Sequence, residues 1–157
     1  MNYYYLAYGS NLNINQMKRR CPRAKIVGSA IIDDYRLMFK GSKTGAYLTI
    51  EKEKGCRVPV GVWIVDDYDL ARLDAYEGYP AFYYRKRMKV QVMKKDGTRG
   101  ECEALVYIMH EDRKLGCPTD IYMYTCLEGY EDFGFDKNYL IDAYSYSIKG
   151  AEDGNNN

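Results

Sequence analysis

Side chains that bind metals or serve as activated nucleophiles are scarce in this chain of 157 residues. His110 is the single histidine, and the five cysteines show no CxxC spacing (Cys21, Cys56, Cys102, Cys117 and Cys126). Zinc sites are built mainly from histidine and cysteine, and Cys–His or Ser–His–Asp nucleophiles need an imidazole, so both classes are disfavoured. We interpret His110 as a surface or strand-end residue. The odd, unpatterned set of cysteines indicates reduced thiols.

The chain also lacks an excess of charge of either sign and any long hydrophobic run. Its formal net charge is +1, and the densest basic clusters, Lys18–Arg20 and Arg85–Arg87, lie on a predicted helix end and a predicted strand. Nucleic-acid-binding proteins usually show a clustered basic excess, so no nucleic-acid partner is expected. No run approaches the roughly 18 apolar residues of a membrane span, and Met1–Tyr5 does not resemble a signal peptide. We therefore expect a cytoplasmic protein, a monomer or a homodimer, that does not bind membranes.

Tyrosine, by contrast, is abundant. The chain holds 18 tyrosines, and 46% of its residues are apolar, which is enough to bury the core of one domain. Many of the tyrosines lie in strand-like runs, where aromatic residues have good β-propensity. We predict that most of them are structural, with packed rings and hydroxyls that reach water, and that a few line a polar pocket.

Strand-like and helical patterns follow one another in mixed order. The predicted strands cover residues 3–8, 26–39, 46–51, 58–65, 83–93 and 101–109, and the predicted helices cover residues 13–20, 66–76, 119–130 and 136–147. Lys54-Gly55 predicts a turn, and Lys94–Gly97 predicts a hairpin. This order predicts an α+β fold with the strands in a sheet or closed barrel. We expect residues 1–149 to form a single domain and residues 150–157 to form a disordered tail.

One candidate site is the segment Tyr8-Gly9-Ser10-Asn11, between a predicted strand and a short helix. Glycine permits a sharp turn and a close approach of a ligand. The amides at the start of a helix have no intrahelical partner and suit a carboxylate or a developing oxyanion. Taken alone, the segment fits an ordinary structural turn as well as an anion-binding turn.

A second candidate lies at the end of the helix predicted over residues 66–76. Asp74 and Glu77 are three residues apart at the negative end of the helix dipole, where two ionised carboxylates repel each other. This placement favours a raised pKa, which suits a general base that later acts as a general acid. Alternatively, both acids point into water at an ordinary helix end, which Gly78 caps and Pro80 terminates.

Together these segments resemble the gamma-glutamylcyclotransferase family, also called AIG2-like. Residues 5–12 (YLAYGSNL) are similar to the family's opening, and residues 58–80 (VPVGVWIVDDYDLARLDAYEGYP) are similar to its second signature, which ends in Leu-Asp-x-x-Glu-Gly. Arg20-Cys21-Pro22 and residues 34–37 and 48–50 also match, and the similarity runs from about residue 3 to residue 140. The resemblance implies a small mixed β-barrel flanked by helices, with a pocket at one end of the barrel.

The resemblance also implies an activity, that of an amine-liberating cyclotransferase of the lyase or acyltransferase type, with no metal or cofactor. In such a reaction the α-amine of a small gamma-glutamyl substrate attacks its own γ-carbonyl, and 5-oxoproline and a free amine are released. Glu77 matches the family's catalytic glutamate, to which we assign the proton transfers. The Tyr8–Asn11 turn matches the loop that holds the glutamyl group through backbone amides and the serine hydroxyl. The identity of the leaving amine is not readable from the sequence.

Three tyrosines match pocket positions of the family, although a structural role for them stays open. They are Tyr107, Tyr122 and either Tyr83 or Tyr84, and strand alternation with the basic residues that follow favours Tyr83. A related glutathione-specific group has a Tyr-Gly-Ser-Leu type turn where this chain has Tyr-Gly-Ser-Asn, which disfavours that group. The alternative function is a non-catalytic binding module for glutamyl or other carboxylate metabolites on the same fold.

Overall fold

The structure, a computed structural model, describes residues 1–155 and is organised around five strands. The strands are β1 (Asn2–Ala7), β2 (Lys25–Lys40), β3 (Tyr47–Asp66), β4 (Tyr83–Lys94) and β5 (Arg99–Met109). The helices are α1 (Ile14–Arg20), α2 (Asp67–Glu77), α3 (Asp120–Phe133) and α4 (Asn138–Asn155), and a short 3-10 turn spans Ser10–Leu12. Among the described residues, no helix is both long and apolar enough to cross a membrane.

The five strands close on one another in the order β1-β3-β2-β4-β5 to form a barrel. Neighbouring strands are antiparallel except for β1 and β5, which pair in parallel at Tyr4–Ala104 and Tyr5–Leu105. Alternate side chains of these strands fill the core, where residues such as Leu6, Val60 and Val106 have no exposed surface. The predicted α+β fold is confirmed. Its sheet is mixed, because it contains one parallel pair of strands among antiparallel pairs.

The predicted turn at Lys54-Gly55 is wrong. Residues 47–66 form one continuous strand, and the register shifts between the pairs Asp33–Arg57 and Tyr35–Lys52, so that residues 53–56 bulge opposite Asp34. The Asp34 Oδ1 atom accepts a hydrogen bond of 2.9 Å from the Gly55 amide and holds the bulge in place. The turn-like residues therefore bend β3 without ending it, because the long β2 strand offers a pairing partner on both sides.

Local capping residues set the helix ends that flank the site. Asn13 accepts from the Gln16 amide at the start of α1, and Asp66 accepts from the Asp69 amide at the start of α2. Gly78, with a φ of 63°, ends α2 in the left-handed region, as predicted. These caps place Glu77 in the last position of its helix.

The C-terminal helix is longer than predicted. Residues 150–155 continue α4, where we expected a disordered tail, while residues 156 and 157 lie outside the described residues. The backbone at Gly150 packs so closely on Leu115 that a Cβ atom there would lie 2.3 Å from its Cδ1 atom. This contact supports the end of the helix, which local sequence could not indicate. That residues 1–149 form a single domain stays our proposal.

Helix α3 packs directly against residues 10–14, which follow β1. A Cβ atom at Gly129 would lie only 2.6 Å from the backbone nitrogen of Asn13 and 2.8 Å from the carbonyl carbon of Leu12. On the same contact, the Asn13 side chain donates to the Thr125 carbonyl at 3.1 Å, and the Asp132 carboxylate accepts from the Ile14 amide at 3.0 Å. The absence of a side chain at Gly129 thus allows α3 to hold residues 10–14 in position.

Gly129→Ala is expected to lower the free energy of unfolding by about 1–3 kcal/mol, because the added methyl group meets backbone atoms that can move only together with the turn. Urea unfolding followed by circular dichroism measures the change. Gly154→Ala, in α4, is the matched control, since nothing lies within 4 Å of the carbon that this substitution adds. Equal unfolding midpoints for Gly129→Ala and the wild type would contradict this account of the packing.

Candidate active site

A cavity of about 180 Å³ lies where the end of β1, the starts of β3 and β4, and the end of α2 meet. It is lined by Tyr5, Leu6, Tyr8, Gly9, Ser10, Tyr47, Leu48, Tyr76, Glu77, Phe82, Tyr83, Tyr107 and Tyr122. The structure therefore brings together all of the site residues predicted from the sequence except Asn11. The Asn11 side chain lies directly behind the cavity wall and contacts Glu77.

The segment Tyr8-Gly9-Ser10-Asn11 forms a compact turn at the end of β1. The Leu12 amide donates to the Gly9 carbonyl and the Asn13 amide to the Ser10 carbonyl, both at 3.0 Å, which closes a single 3-10 turn. Because the leading amides of a helical turn have no acceptor within it, they are available to a ligand. The Ser10 hydroxyl lies 3.1 Å from the Tyr76 hydroxyl and so links the turn to the end of α2.

Glu77 reaches the cavity from the opposite side. Its Oε1 atom lies 3.5 Å from the Asn11 Nδ2 atom. The residue keeps some surface open to the cavity, but protein atoms surround its carboxyl group on nearly all sides. This burial raises the pKa of Glu77 to about 7, although the positive charge of Arg20 acts in the opposite direction. Glu77 can therefore both accept and donate a proton near neutral pH.

The sequence predicted a raised pKa for other reasons, the negative end of the helix dipole and repulsion from Asp74. In the structure Asp74 faces elsewhere: its Oδ1 atom accepts a 2.5 Å hydrogen bond from the Tyr107 hydroxyl and lies 3.7 Å from the Arg85 Nε atom. Asp74 does not contribute to the shift at Glu77, whose cause is burial. Its role is to hold the Tyr107 ring against the cavity.

Tyrosine hydroxyls in the cavity wall are engaged by protein atoms. Tyr8 donates to the Tyr107 carbonyl and Tyr83 to the Leu48 carbonyl, both at 2.7 Å, while Tyr122 accepts from the Leu48 amide at 3.1 Å. Burial raises the pKa of Tyr5, Tyr8, Tyr83 and Tyr122 well above 10, so these phenols stay protonated at neutral pH. Among the described residues that line the cavity, Glu77 has the one carboxyl group.

The structure separates Tyr83 from Tyr84. Tyr83 is buried and lines the cavity, as strand alternation predicted, whereas Tyr84 points away and its hydroxyl binds the Glu111 carboxylate. The His110 ring is tilted against the Tyr84 ring, with centroids 5.2 Å apart, and its Nε2 atom bonds to the Pro80 carbonyl. His110 does not line the cavity. Within residues 1–155, no three His, Cys, Asp or Glu side chains stand close enough to hold a metal ion.

Several cavity residues were missed in the sequence. Tyr5 and Tyr76 each lie within or beside a signature segment, and that proximity was a usable signal. Tyr47 and Phe82 form an aromatic contact at the mouth, with centroids 6.4 Å apart, but nothing in their local sequence marks them. They reach the cavity only because the starts of β3 and β4 meet there.

Comparisons with known proteins identify the family of this chain. Residues 5–125 match the family model described as gamma-glutamyl cyclotransferase, AIG2-like. A gamma-glutamylcyclotransferase of Bos taurus is 31% identical over 110 residues, which are 66% of this chain and 58% of the bovine protein, so the match spans less than two thirds of that relative.

Solved structures show the same fold. One described as a gamma-glutamyl cyclotransferase has a TM-score of 0.75 at 25% identity, over 91% of this chain and 86% of that one. An uncharacterized protein from Homo sapiens has a TM-score of 0.74 at 27% identity, over 90% of this chain and 86% of its own. YkqA from Bacillus subtilis, with a TM-score of 0.73 at 16% identity over 93% of this chain and 54% of that protein, is similar in fold alone.

Proposed function

Because this chain belongs to the gamma-glutamyl cyclotransferase, AIG2-like family, we propose that it is an enzyme that releases 5-oxoproline from a small gamma-glutamyl amide. The observation that carries the proposal is a buried carboxyl group with a pKa of about 7, that of Glu77, in the same cavity as the Tyr8–Ser10 backbone. We further propose a cytoplasmic location, which agrees with the five cysteines being free among the described residues.

Substrate binding is assigned to the turn after β1. The leading amides of that turn and the Ser10 hydroxyl supply donors for the oxygen atoms of the glutamyl group. Held there, the substrate has its own α-amine and γ-carbonyl close together in one small cavity. Such fixed geometry supplies a large part of the rate in a ring-closing reaction, because the entropy of bringing the groups together is lost on binding.

Proton transfer is assigned to Glu77. In its ionised form it takes a proton from the α-ammonium group, and the freed nitrogen attacks the γ-carbonyl carbon to close a five-membered ring. The original amide C–N bond then breaks, and the protonated Glu77 returns the proton to the leaving amine. The ring nitrogen still carries two hydrogens at that stage, and the re-ionised Glu77 takes the second proton from it and passes it to the released amine. Two protons thus leave the α-nitrogen and two reach the leaving amine, no water is consumed, and a pKa near 7 serves each transfer.

The aromatic wall supports these steps without taking part in the proton transfer. The hydroxyls of Tyr8, Tyr83 and Tyr122 are committed to backbone groups, and their raised pKa values keep them neutral. Their rings exclude bulk water from the γ-carbonyl and so favour attack by the amine over hydrolysis.

A panel of gamma-glutamyl amino acids and gamma-glutamyl amines, incubated with the purified protein, tests the proposal. We expect 5-oxoproline and the free amine to appear in equal amounts from at least one substrate, as measured by mass spectrometry. Saturable binding of these compounds without any 5-oxoproline would instead support the non-catalytic binding module on the same fold.

A further inference from the structure

Arg20, the last residue of α1, reaches the substrate-binding turn from outside the cavity. Its Nη1 atom donates to the Asn11 Oδ1 atom, and its Nη2 atom donates to the Gln16 Oε1 atom at 3.0 Å. Its guanidinium carbon lies 3.3 Å from the centroid of the Tyr76 ring. A planar guanidinium with two hydrogen bonds and a stacked ring is held in one orientation.

The contact with Arg20 determines which way the Asn11 amide faces. A guanidinium group can only donate hydrogen bonds, so the atom of Asn11 that it binds must be the carbonyl oxygen. The Nδ2 atom therefore faces the other side, where it lies 2.7 Å from the Tyr5 hydroxyl and 3.5 Å from the Glu77 Oε1 atom. Because Asn11 is buried, no water competes for these positions.

The orientation of this amide matters for Glu77. An N–H group that faces a carboxylate stabilises the ionised form, whereas a flipped amide would present its oxygen and favour the protonated acid. The Arg20 charge itself also lowers the pKa of Glu77, against the effect of burial. Both effects lower the pKa of Glu77, and both depend on the Arg20 side chain.

Other groups around Glu77 do not offset this effect. The titratable and charged groups that face it are Arg20 from α1, Tyr5 from β1, Tyr8 from the following turn and Tyr83 from β4. These tyrosines are neutral at physiological pH, and Asp74 on its own helix is turned towards Tyr107 and Arg85. Among the groups within residues 1–155 that face Glu77, Arg20 is thus the one that carries a charge.

We propose that Arg20 is a positioning residue for the reaction proposed above. Arg20 fixes the Asn11 amide with its N–H group towards Glu77, and this orientation favours the ionised carboxylate that accepts the substrate's proton. The inference rests on the proposed function for its catalytic consequence. Its structural part, the effect of Arg20 on the ionisation of Glu77, does not require turnover and is measured separately.

Three variants test the proposal: Arg20→Gln, Arg20→Lys and, as the matched control, Arg19→Gln. The control removes a positive charge from the neighbouring position of α1, whose side chain has no hydrogen bond to Asn11 within the described residues. Titration of the Glu77 carboxyl carbon by NMR and the pH profile of kcat/KM are the two readouts. Arg20→Gln is expected to raise the NMR pKa and the acid limb of the profile by about one pH unit, while Arg19→Gln leaves both unchanged.

Arg20→Lys separates orientation from charge. Lysine keeps the positive charge but lacks the planar fork, so the proposal requires a smaller upward shift in this variant as well. If Arg20→Lys titrates like the wild type, the positioning role is overturned and only a charge effect remains. If Arg20→Gln does not fold, Arg20→Lys alone decides by the same criterion.

The two hypotheses fail in different ways. A wild-type protein without 5-oxoproline release refutes the proposed function, while the NMR titration still decides the role of Arg20. An active wild-type protein whose Arg20→Gln variant has the same NMR pKa and the same pH profile refutes the role of Arg20 alone.

Discussion

Glu77→Gln is expected to lower kcat for 5-oxoproline release by about 10²- to 10⁴-fold, the range that a positioned general acid–base supplies. The amide is nearly the same size as the carboxyl group and preserves the cavity, but it can neither take the proton of the α-ammonium group nor return one. Because the substrate is held by the turn after β1, KM should change little, so the loss falls on kcat. Steady-state kinetics with the best substrate of the panel measure both constants.

A surface glutamate provides the control for this loss. Glu152→Gln, on the exposed face of α4, makes the same chemical change far from the cavity and should retain wild-type kinetics. If Glu77→Gln matched the wild type while both proteins were folded, Glu77 would not be the catalytic acid–base.

The same substitution is expected to stabilise the protein at high pH. The pKa of Glu77 in the folded state is about 7, above its ordinary value of 4.5. Below about pH 4.5, Glu77 is protonated in both the folded and the unfolded state, and its ionisation does not affect folding. Above about pH 7, Glu77 is ionised in both states, and the folded state must bury the charge. The wild type therefore loses stability as pH rises from about 4.5 to about 7.

Glutamine at this position has no charge to bury. At about pH 8, Glu77→Gln should exceed the wild type in free energy of unfolding by about 2 kcal/mol, somewhat less than the full shift implies because water in the cavity screens the carboxylate. At about pH 4.5 the two proteins should differ little. Urea unfolding across this range measures the difference, and a gap that does not vary with pH would contradict the buried, raised-pKa glutamate.

Elements whose signals are local were predicted well from the sequence. Gly78 ends α2 in the left-handed region, as its residue type predicts, and the hairpin at Lys94–Gly97 needs only its own turn residues. Each of these depends on hydrogen bonds within a few positions along the chain, so residue type and spacing are sufficient evidence.

Features that depend on distant partners were missed. The bulge opposite Asp34 exists because β2 pairs with β3 on both sides of it, and the pairing of β1 with β5 joins residues about a hundred positions apart. The extension of α4 depends on Leu115, which lies on another segment. Local pattern contains no information on such contacts.

The site shows the same division. Glu77 and the turn at Tyr8–Asn11 were identified because they lie in signature segments, and the structure places Glu77 and Tyr8–Ser10 in one cavity, with the Asn11 side chain in contact with Glu77. The raised pKa was attributed to the helix dipole and the neighbouring Asp74, whereas in the structure its cause is burial. Arg20 was noted in a basic cluster and in a sequence match, but its role was not predicted, since its contact with Asn11 depends on how α1 folds back on the turn.

The packing of α3 on residues 10–14 has a consequence for biosynthesis. Both signature segments leave the ribosome before residue 81, but α3, which holds the first of them in place and contributes Tyr122 to the cavity, begins only at Asp120. A nascent chain that already contains every signature residue therefore still lacks part of the cavity wall. The cavity can be completed only after the last quarter of the polypeptide has been made.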